Sequence, residues 1–185
     1  MQIYLHSEPL SYQGPELRSH FIYNRFGLRG DAIVAFAGPC QVKLNDMIDL
    51  EDVHANAPIF SEQMLHLLIE HFQTPLETMI LRQRLLTAQI QTLLHNRYQL
   101  TNIRRSGDDL YDGERKLSVS IATVSPVSGL IHFGLNISSQ NTPVPTRGLA
   151  DYAIDWPEFA RTVLETYAAE DQAIRLALTK VRWVS

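Results

Sequence analysis

A single cysteine, Cys40, stands in 185 residues. One thiol excludes an internal disulfide framework and any cysteine-rich zinc site, and it fits a reducing cytoplasm. There is no run of about 18 apolar residues, the length a transmembrane helix needs. The opening MQIYLHSEPLSYQG lacks the basic-then-apolar order of a secretory leader. Excess positive charge is missing too. Sixteen Lys and Arg stand against twenty Asp and Glu, a net charge of -4. No global basic field draws nucleic acid, and basic character is confined to local clusters such as Arg104-Arg105. Internal repeats and low-complexity segments are absent. What is present is an ordinary globular composition, 45% hydrophobic and 19% charged. The length suits one domain, 1–185, with a substantial core.

The chain opens with a short strand at Gln2–Leu5, then a loop marked by Pro9, Gly14 and Pro15. Leu17–Phe26 mixes polar, apolar and aromatic residues and reads as a strand closed by Gly27. Ala32–Ala37 is a continuous apolar run of the length of a buried central strand. Gly38-Pro39 interrupts it, and Gln41–Leu44 resumes after a bulge or bend. Cys40 reads as a small core residue, because nothing local would lower its pKa. Met47–Asp52, MIDLED, carries three carboxylates. It fits either a solvated loop or helix entry, or a carboxylate site for a metal or a ribose hydroxyl.

Ser61 can cap a helix over Glu62–Phe72, where Leu65, Leu68, Ile69 and Phe72 fall at helical spacing. Its two histidines, His66 and His71, are five apart and do not share a helix face, so no two-His metal site is expected. Thr74-Pro75-Leu76-Glu77 opens a second helix running to about His95, with Arg82 and Arg84 facing solvent. Lys116–Val124 alternates, and Ser125–Gly129 turns the chain into an antiparallel return strand, Leu130–Ile137. Asp155 caps a helix with Phe159, Val163, Leu164 and Tyr167 on its apolar face. A last helical segment gives way to Lys180–Val184, whose alternation suits an edge strand. This order predicts an α+β domain, with a mostly antiparallel central sheet and helices packed mainly on one side.

The densest polar chemistry lies between Arg104 and Ile137. On an alternating strand, Leu117, Val119 and Ile121 share one face, and Lys116, Ser118, Ser120 and Ala122 the other. That polar face is either plain solvent-exposed surface or a lysine aimed at an oxyanion, with small neighbours leaving room for a ligand. Asp108 and Asp109 follow Gly107 in a turn. They either cap backbone amides or hold magnesium beside phosphate oxygens. If Arg104 and Arg105 are on a strand they point to opposite faces, so only one of them is expected to meet a ligand, for which arginine's bidentate fork suits a phosphate or carboxylate. Arg18 and His20 share a face of the expected Leu17–Phe26 strand, which is either partly exposed surface or a place where both could reach one anionic group.

These segments also carry a family resemblance. RSHFIYNRFGLRGDAIVAFAGPCQV, MIDLED, MLHLLIEHF, the Arg104–Ile137 stretch and the closing KVRWV together resemble domain-of-unknown-function family 366 over nearly the whole chain. That family is similar in fold to the biotin and lipoate protein ligases, a superfamily that includes the class II aminoacyl-tRNA synthetase catalytic domains. Asp108-Asp109-Leu110 resembles the Asn-Asp-Leu element of lipoate ligases. Gly113-Glu114-Arg115-Lys116, followed by Ser118 and Ser120, resembles their Gly-Asp-Arg-Lys strand, and His132 to Asn136 resembles the return strand. The resemblance implies that Lys116 contacts an acyl or phosphate group, with Asp108 and Asp109 on the phosphate and magnesium side. Gly107, His132 and Asn136 join the nucleotide or substrate contacts. The Arg-Arg-x-x-Gly-Gly-Gly segment of those ligases has no counterpart; the nearest is Gly27-Leu28-Arg29-Gly30-Asp31.

The expectation is therefore a nucleotide- or acyl-adenylate-binding, ligase-like acyl-activating enzyme using ATP and magnesium. An acyl-carrier or lysine-bearing protein would be the acceptor. The alternatives are an ATP-independent acyltransferase and a non-catalytic small-molecule binding module of the same fold. One geometric test follows from the sequence: if Asp49, Glu51 and Asp52 lie near Lys116, one pocket joins both motifs.

Overall fold

The structure is a computed structural model and describes residues 1–184. In chain order the elements are β1 (Gln2–Leu5), α1 (Phe21–Phe26), β2 (Ala32–Val42), α2 (Leu50–His54), β3 (Ile59–Phe72), α3 (Leu76–Tyr98), β4 (Ile103–Ser106), β5 (Asp109–Asp112), β6 (Arg115–Lys116), β7 (Ser118–Val124), β8 (Ser128–Asn136) and α4 (Trp156–Lys180). The main sheet has the order β1-β2-β3-β8-β7, and its pairings are antiparallel except β1 with β2. β4, β5 and β6 form a small separate sheet. The expected α+β architecture is present, with both long helices on one face of the main sheet.

Each face of that sheet has its own core. Ile33 and Ala35 of β2, Leu65 and Leu67 of β3, and Ile131 and Phe133 of β8 pack under α3 and α4. The helices supply Met79, Leu86 and Ile90, and then Phe159, Val163 and Tyr167. Val34, Phe36, Met64 and Leu68 point the other way, under a cap built from Tyr12, Leu17 and Ile22. Burying a side chain such as Phe159 completely stabilises the fold by about 1.5–3 kcal/mol.

Segment 62–72 is strand rather than helix. Residues 64 to 71 of β3 are all buried, because β3 lies between β2 and β8 and is covered on both faces. A doubly covered strand needs a continuous apolar run, and within such a run helical spacing arises by coincidence. Leu17–Phe26 is not a strand either. It bends at His20 (φ 63) into α1, which Gly27 closes in the left-handed region (φ 74), its N–H donating to Tyr23 O at 2.9 Å. Glu70, buried in β3, holds this corner. Its carboxylate accepts the His20 backbone N–H at 2.9 and 3.2 Å and the Ser128 hydroxyl at 2.7 Å.

At the C-terminal end α4 continues to Lys180, and 181–184 form no strand. The alternation there finds no sheet edge to pair with, and Trp183 is 82% exposed. Arg82 does not face solvent. It pairs with the buried Asp171 of α4 at 2.9 Å, and Arg175 binds the same carboxylate at 3.1 Å. The expected interruption at Gly38-Pro39 is present as a register shift between Gly38 and Cys40. Cys40 is fully buried, and burial pushes its thiol up to about 12.

The hairpin departs from a single alternating strand in one respect that shapes the site. The strand breaks at Leu117, whose N–H donates to Leu110 O and whose carbonyl accepts from Asn136 N–H. Leu117 enters the helix-side core, whereas Val119 and Ile121 pack on the opposite face. Lys116, Ser118 and Ser120 therefore do not form one alternating face: the serines turn towards the Asp108-Asp109 turn and α3, and Ser118 meets Lys116 on the Asp109 carboxylate.

Candidate functional site

Lys116 ends β6 beside β7, the edge strand of the main sheet. Its backbone is held from two sides. The N–H donates to Pro145 O at 3.0 Å, and the carbonyl accepts from Arg147 N–H at 3.1 Å and Asn136 Nδ2 at 3.4 Å. The ammonium reaches Asp109 Oδ2 at 2.7 Å. Burial by itself lowers a lysine pKa, but here the Asp109 carboxylate outweighs it, helped by Tyr111 and Asp52, and the net direction is upward. Lys116 is therefore a fixed cation.

Two cavities meet at this side chain. The first, about 240 Å³, has Tyr12, Val119, Ile121 and His132 as its floor. One wall is the β2–β3 connection, which contributes Asp46, Asp49, Glu51 and Asp52. The other is Asp108, Asp109 and Lys116. The acidic run and the hairpin thus share one pocket. The second cavity, about 170 Å³, is more apolar, walled by Phe60, Met64, Pro143 and Val144. Asp52, Ile59, Lys116 and Val119 line both.

Local chemistry explains each wall. Asp49 caps α2, accepting the Glu51 N–H at 2.8 Å, and so presents Glu51 and Asp52 from the first helical turn. Burial, with Asp49 next, pushes the Asp52 carboxyl up against the opposing pull of Lys116. Across the cavity, Gln83 of α3 donates to Asp108 Oδ2 and to Ser120 Oγ, both at 2.8 Å. Arg84 pairs with Asp108 at 3.5 Å. Ser118 Oγ accepts the Leu110 N–H at 2.9 Å and donates to Asp109 Oδ1 at 3.2 Å. The serines are positioning residues for the two aspartates rather than empty space beside the lysine.

Beneath the first cavity lies a buried aromatic stack. The rings of Tyr12 and His132 are 3.7 Å apart and nearly parallel, at 13°. His132 Nε2 and His66 Nδ1 are 3.0 Å apart, and His66 Nε2 lies 3.3 Å from Gly38 O. Burial pushes His66 down to about 3 and, with His66 alongside, holds His132 well below the usual histidine range. Burial also raises the Tyr12 phenol.

Of the residues expected to form a site, Lys116, Asp108, Asp109, Ser120 and His132 line the first cavity. Ser118 and Asn136 line the second with Lys116. Gly107 lies outside both linings, under the Arg84 guanidinium. Arg18, His20, Arg104 and Arg105 also line neither. Arg18 stacks on Phe21, Arg104 on Tyr111, and Arg105 donates to Gly107 O at 3.2 Å. Tyr12, Asp46, His66 and Gln83 were not anticipated. The helical reading of 62–72 concealed His66, since only on a strand do His66 and Leu68 share a face.

Magnesium does not fit the aspartates as arranged. Lys116 and Ser118 close Asp109, and Gln83, Ser120 and Arg84 close Asp108. Among the described residues no group of three or more His, Cys, Asp or Glu is arranged to hold a metal ion. No helix there is long and apolar enough to cross a membrane.

The α+β fold is similar to that of the biotin and lipoate protein ligases. A biotin protein ligase from Aquifex aeolicus, solved in complex with biotin and ATP, superposes with a TM-score of 0.57 at 13% identity, over 89% of this chain and 68% of that one. The chain itself belongs to the family described as Domain of unknown function (DUF366), which matches residues 1–182. A protein of unknown function from Pyrococcus horikoshi is similar over 100% of both chains, with a TM-score of 0.92 and 38% identity. An uncharacterized protein of Methanocaldococcus jannaschii is 35% identical over 187 residues, covering 97% of this chain and 84% of the relative.

Proposed function

We propose that this protein binds a small acyl-bearing molecule across the two cavities and transfers its acyl group. The ligand's apolar part occupies the cavity walled by Phe60 and Val144, and its carbonyl oxygen faces Lys116. The observation that carries this reading is the position of Lys116, a fixed ammonium lining both a polar and an apolar cavity. A cation held by a buried carboxylate is pre-organised to stabilise the oxyanion that forms when an acyl carbonyl is attacked. In the step itself, the acceptor's lone pair forms the bond to the carbonyl carbon. The leaving thiolate departs with the electrons of the C–S bond and takes the acceptor's proton. An acyl-carrier or lysine-bearing protein is a fitting acceptor.

The donor is a thioester rather than an adenylate. Six carboxylates line the first cavity against one lysine, and a triphosphate brought there meets repulsion from nearly every side. The second reading is ATP-dependent acyl activation, and what favours it is the fold shared with a biotin ligase solved with biotin and ATP. Native mass spectrometry of gently purified wild-type and Lys116→Ala protein separates the two. A retained acyl or thioester mass on the wild type, lost in the variant, supports the first reading. A retained adenylate supports the second. Retention of the same ligand by both proteins contradicts the role of Lys116.

A further inference from the structure

The hydrogen-bond order under the first cavity fixes what its floor can offer a ligand. Gly38 O is a carbonyl and accepts only, so His66 Nε2, 3.3 Å away, carries a hydrogen. His66 is fully buried and has no carboxylate among its hydrogen-bond partners, so it is neutral, and its Nδ1 is a bare acceptor. His132 Nε2, 3.0 Å from that Nδ1, must then be the donor. His132 is itself 4% exposed, pressed under Tyr12 and against a second imidazole, so it too is neutral. Its hydrogen is spent on His66, and its Nδ1 keeps a lone pair with no partner among the described residues. The ring lines the cavity.

From this directional relay we propose that the first cavity binds a cationic hydrogen-bond donor, a primary ammonium, seated between His132 Nδ1 and the carboxylates of Asp49, Glu51 and Asp52. Two independent observations converge. A forced acceptor on the floor selects an N–H or O–H and rejects a carbonyl, a carboxylate or a phosphate oxygen, because two lone pairs would face each other. The acidic wall then selects the positive donor over the neutral one. Asp52 also faces Lys116, so its charge is partly spent there, and Asp49 and Glu51 supply the remainder. The assignment rests on this cavity being a ligand site, and it names the chemistry of the ligand's polar end. The molecule bound across the two cavities carries an amine at one end and an apolar group at the other, with its carbonyl between them at Lys116.

The test is nitrogen NMR on the full-length protein labelled with 15N-histidine, titrated separately with butylammonium chloride and with inorganic pyrophosphate. The expected result is His132 as the Nε2–H tautomer, with its Nδ1 resonance moving saturably on adding butylammonium and unmoved by pyrophosphate. Asp52→Asn, at a site near the surface, should weaken butylammonium binding at least threefold and leave the tautomer unchanged. An Nδ1–H tautomer for His132 overturns the proposal, as does saturable binding of pyrophosphate in place of butylammonium. Should native mass spectrometry show an acyl ligand dependent on Lys116 while butylammonium leaves His132 unmoved, this assignment falls and the acyl reading stands. Butylammonium binding in a protein that retains no acyl ligand and binds no thioester supports the assignment and removes the acyl reading.

Discussion

Lys116 Nζ lies 2.7 Å from Asp109 Oδ2, at the point where a polar and an apolar cavity meet. Asp109 is 16% exposed and Lys116 31%, so the pair is sheltered but not sealed. Truncating one partner leaves the other charge short of compensation. Lys116→Ala is expected to cost about 1–3 kcal/mol, at the lower end because Lys116 keeps contact with solvent. Adding Asp109→Asn should recover part of that loss. Urea denaturation of the two single variants and the double variant gives the coupling directly.

Gly107 sits at φ +64, and a Cβ there would lie 2.7 Å from Arg84 Nη1. Gly107→Ala should therefore cost about 1–2 kcal/mol, from the left-handed backbone and from displacement of the guanidinium. Arg84→Ala already removes that guanidinium. In its background the same glycine substitution should cost only the backbone share, which chemical denaturation of the pair of proteins can read.

Tyr12 covers His132 and forms part of the cavity floor. Removing the ring in Tyr12→Ala should destabilise the fold by about 3–5 kcal/mol, as for other buried aromatics. Tyr12→Phe keeps the stacking surface and should cost less than about 1 kcal/mol. Thermal unfolding of both variants distinguishes a packing role from one that depends on the hydroxyl.

Asp31 ties β2 to β3 and α4. It accepts the Phe72 N–H at 2.9 Å and a His71 ring nitrogen hydrogen at 3.2 Å, and it pairs with Arg175. Burial pushes this carboxyl up, but those hydrogen bonds and the nearby charges prevail and hold it at about 2. Its folded pKa lies below the unfolded value of 3.8, so the stabilisation is complete above about pH 4 and is lost as pH falls towards 2. At neutral pH it amounts to about 2 kcal/mol. The stability difference between wild type and Asp31→Asn should therefore be present at pH 6 and shrink steadily between pH 4 and pH 2.

Much of the fold was legible from local patterns. The two long helices announced themselves by start signals, Pro75-Leu76 and Asp155-Trp156-Pro157, and by apolar faces that recur along 76–94 and 159–167. The hairpin was legible from its turn residues at 125–129. Local pattern failed where tertiary context decides. β3 is apolar on both faces because α3 and α4 cover one face of the sheet and the cap of Tyr12, Leu17 and Ile22 covers the other, and the same run satisfies a helical template. The C-terminal Lys180–Val184 alternates like a strand but meets no partner. In the site, Lys116, Asp108 and Asp109 stood out because three charged groups around two turns are hard to place as plain surface. The break at Leu117 is not legible in the sequence: strict alternation puts the serines on the lysine's face, whereas in the structure they brace the aspartates and meet Lys116 at Asp109 and along the cavity walls. Tyr12 is hidden for a different reason: it is more than fifty residues from His66, and the two rings meet only through the pairing of β2 with β3.

We propose that Lys116 holds the carbonyl of a thioester-activated acyl group. The most direct measurement is the carbonyl resonance of a 13C-carbonyl-labelled acyl-pantetheine thioester, titrated with wild-type protein, Lys116→Ala and Arg104→Ala. A saturable shift with the wild type and Arg104→Ala, absent with Lys116→Ala, is the predicted result. An equal shift with Lys116→Ala, or no shift with any of the three, would contradict the account.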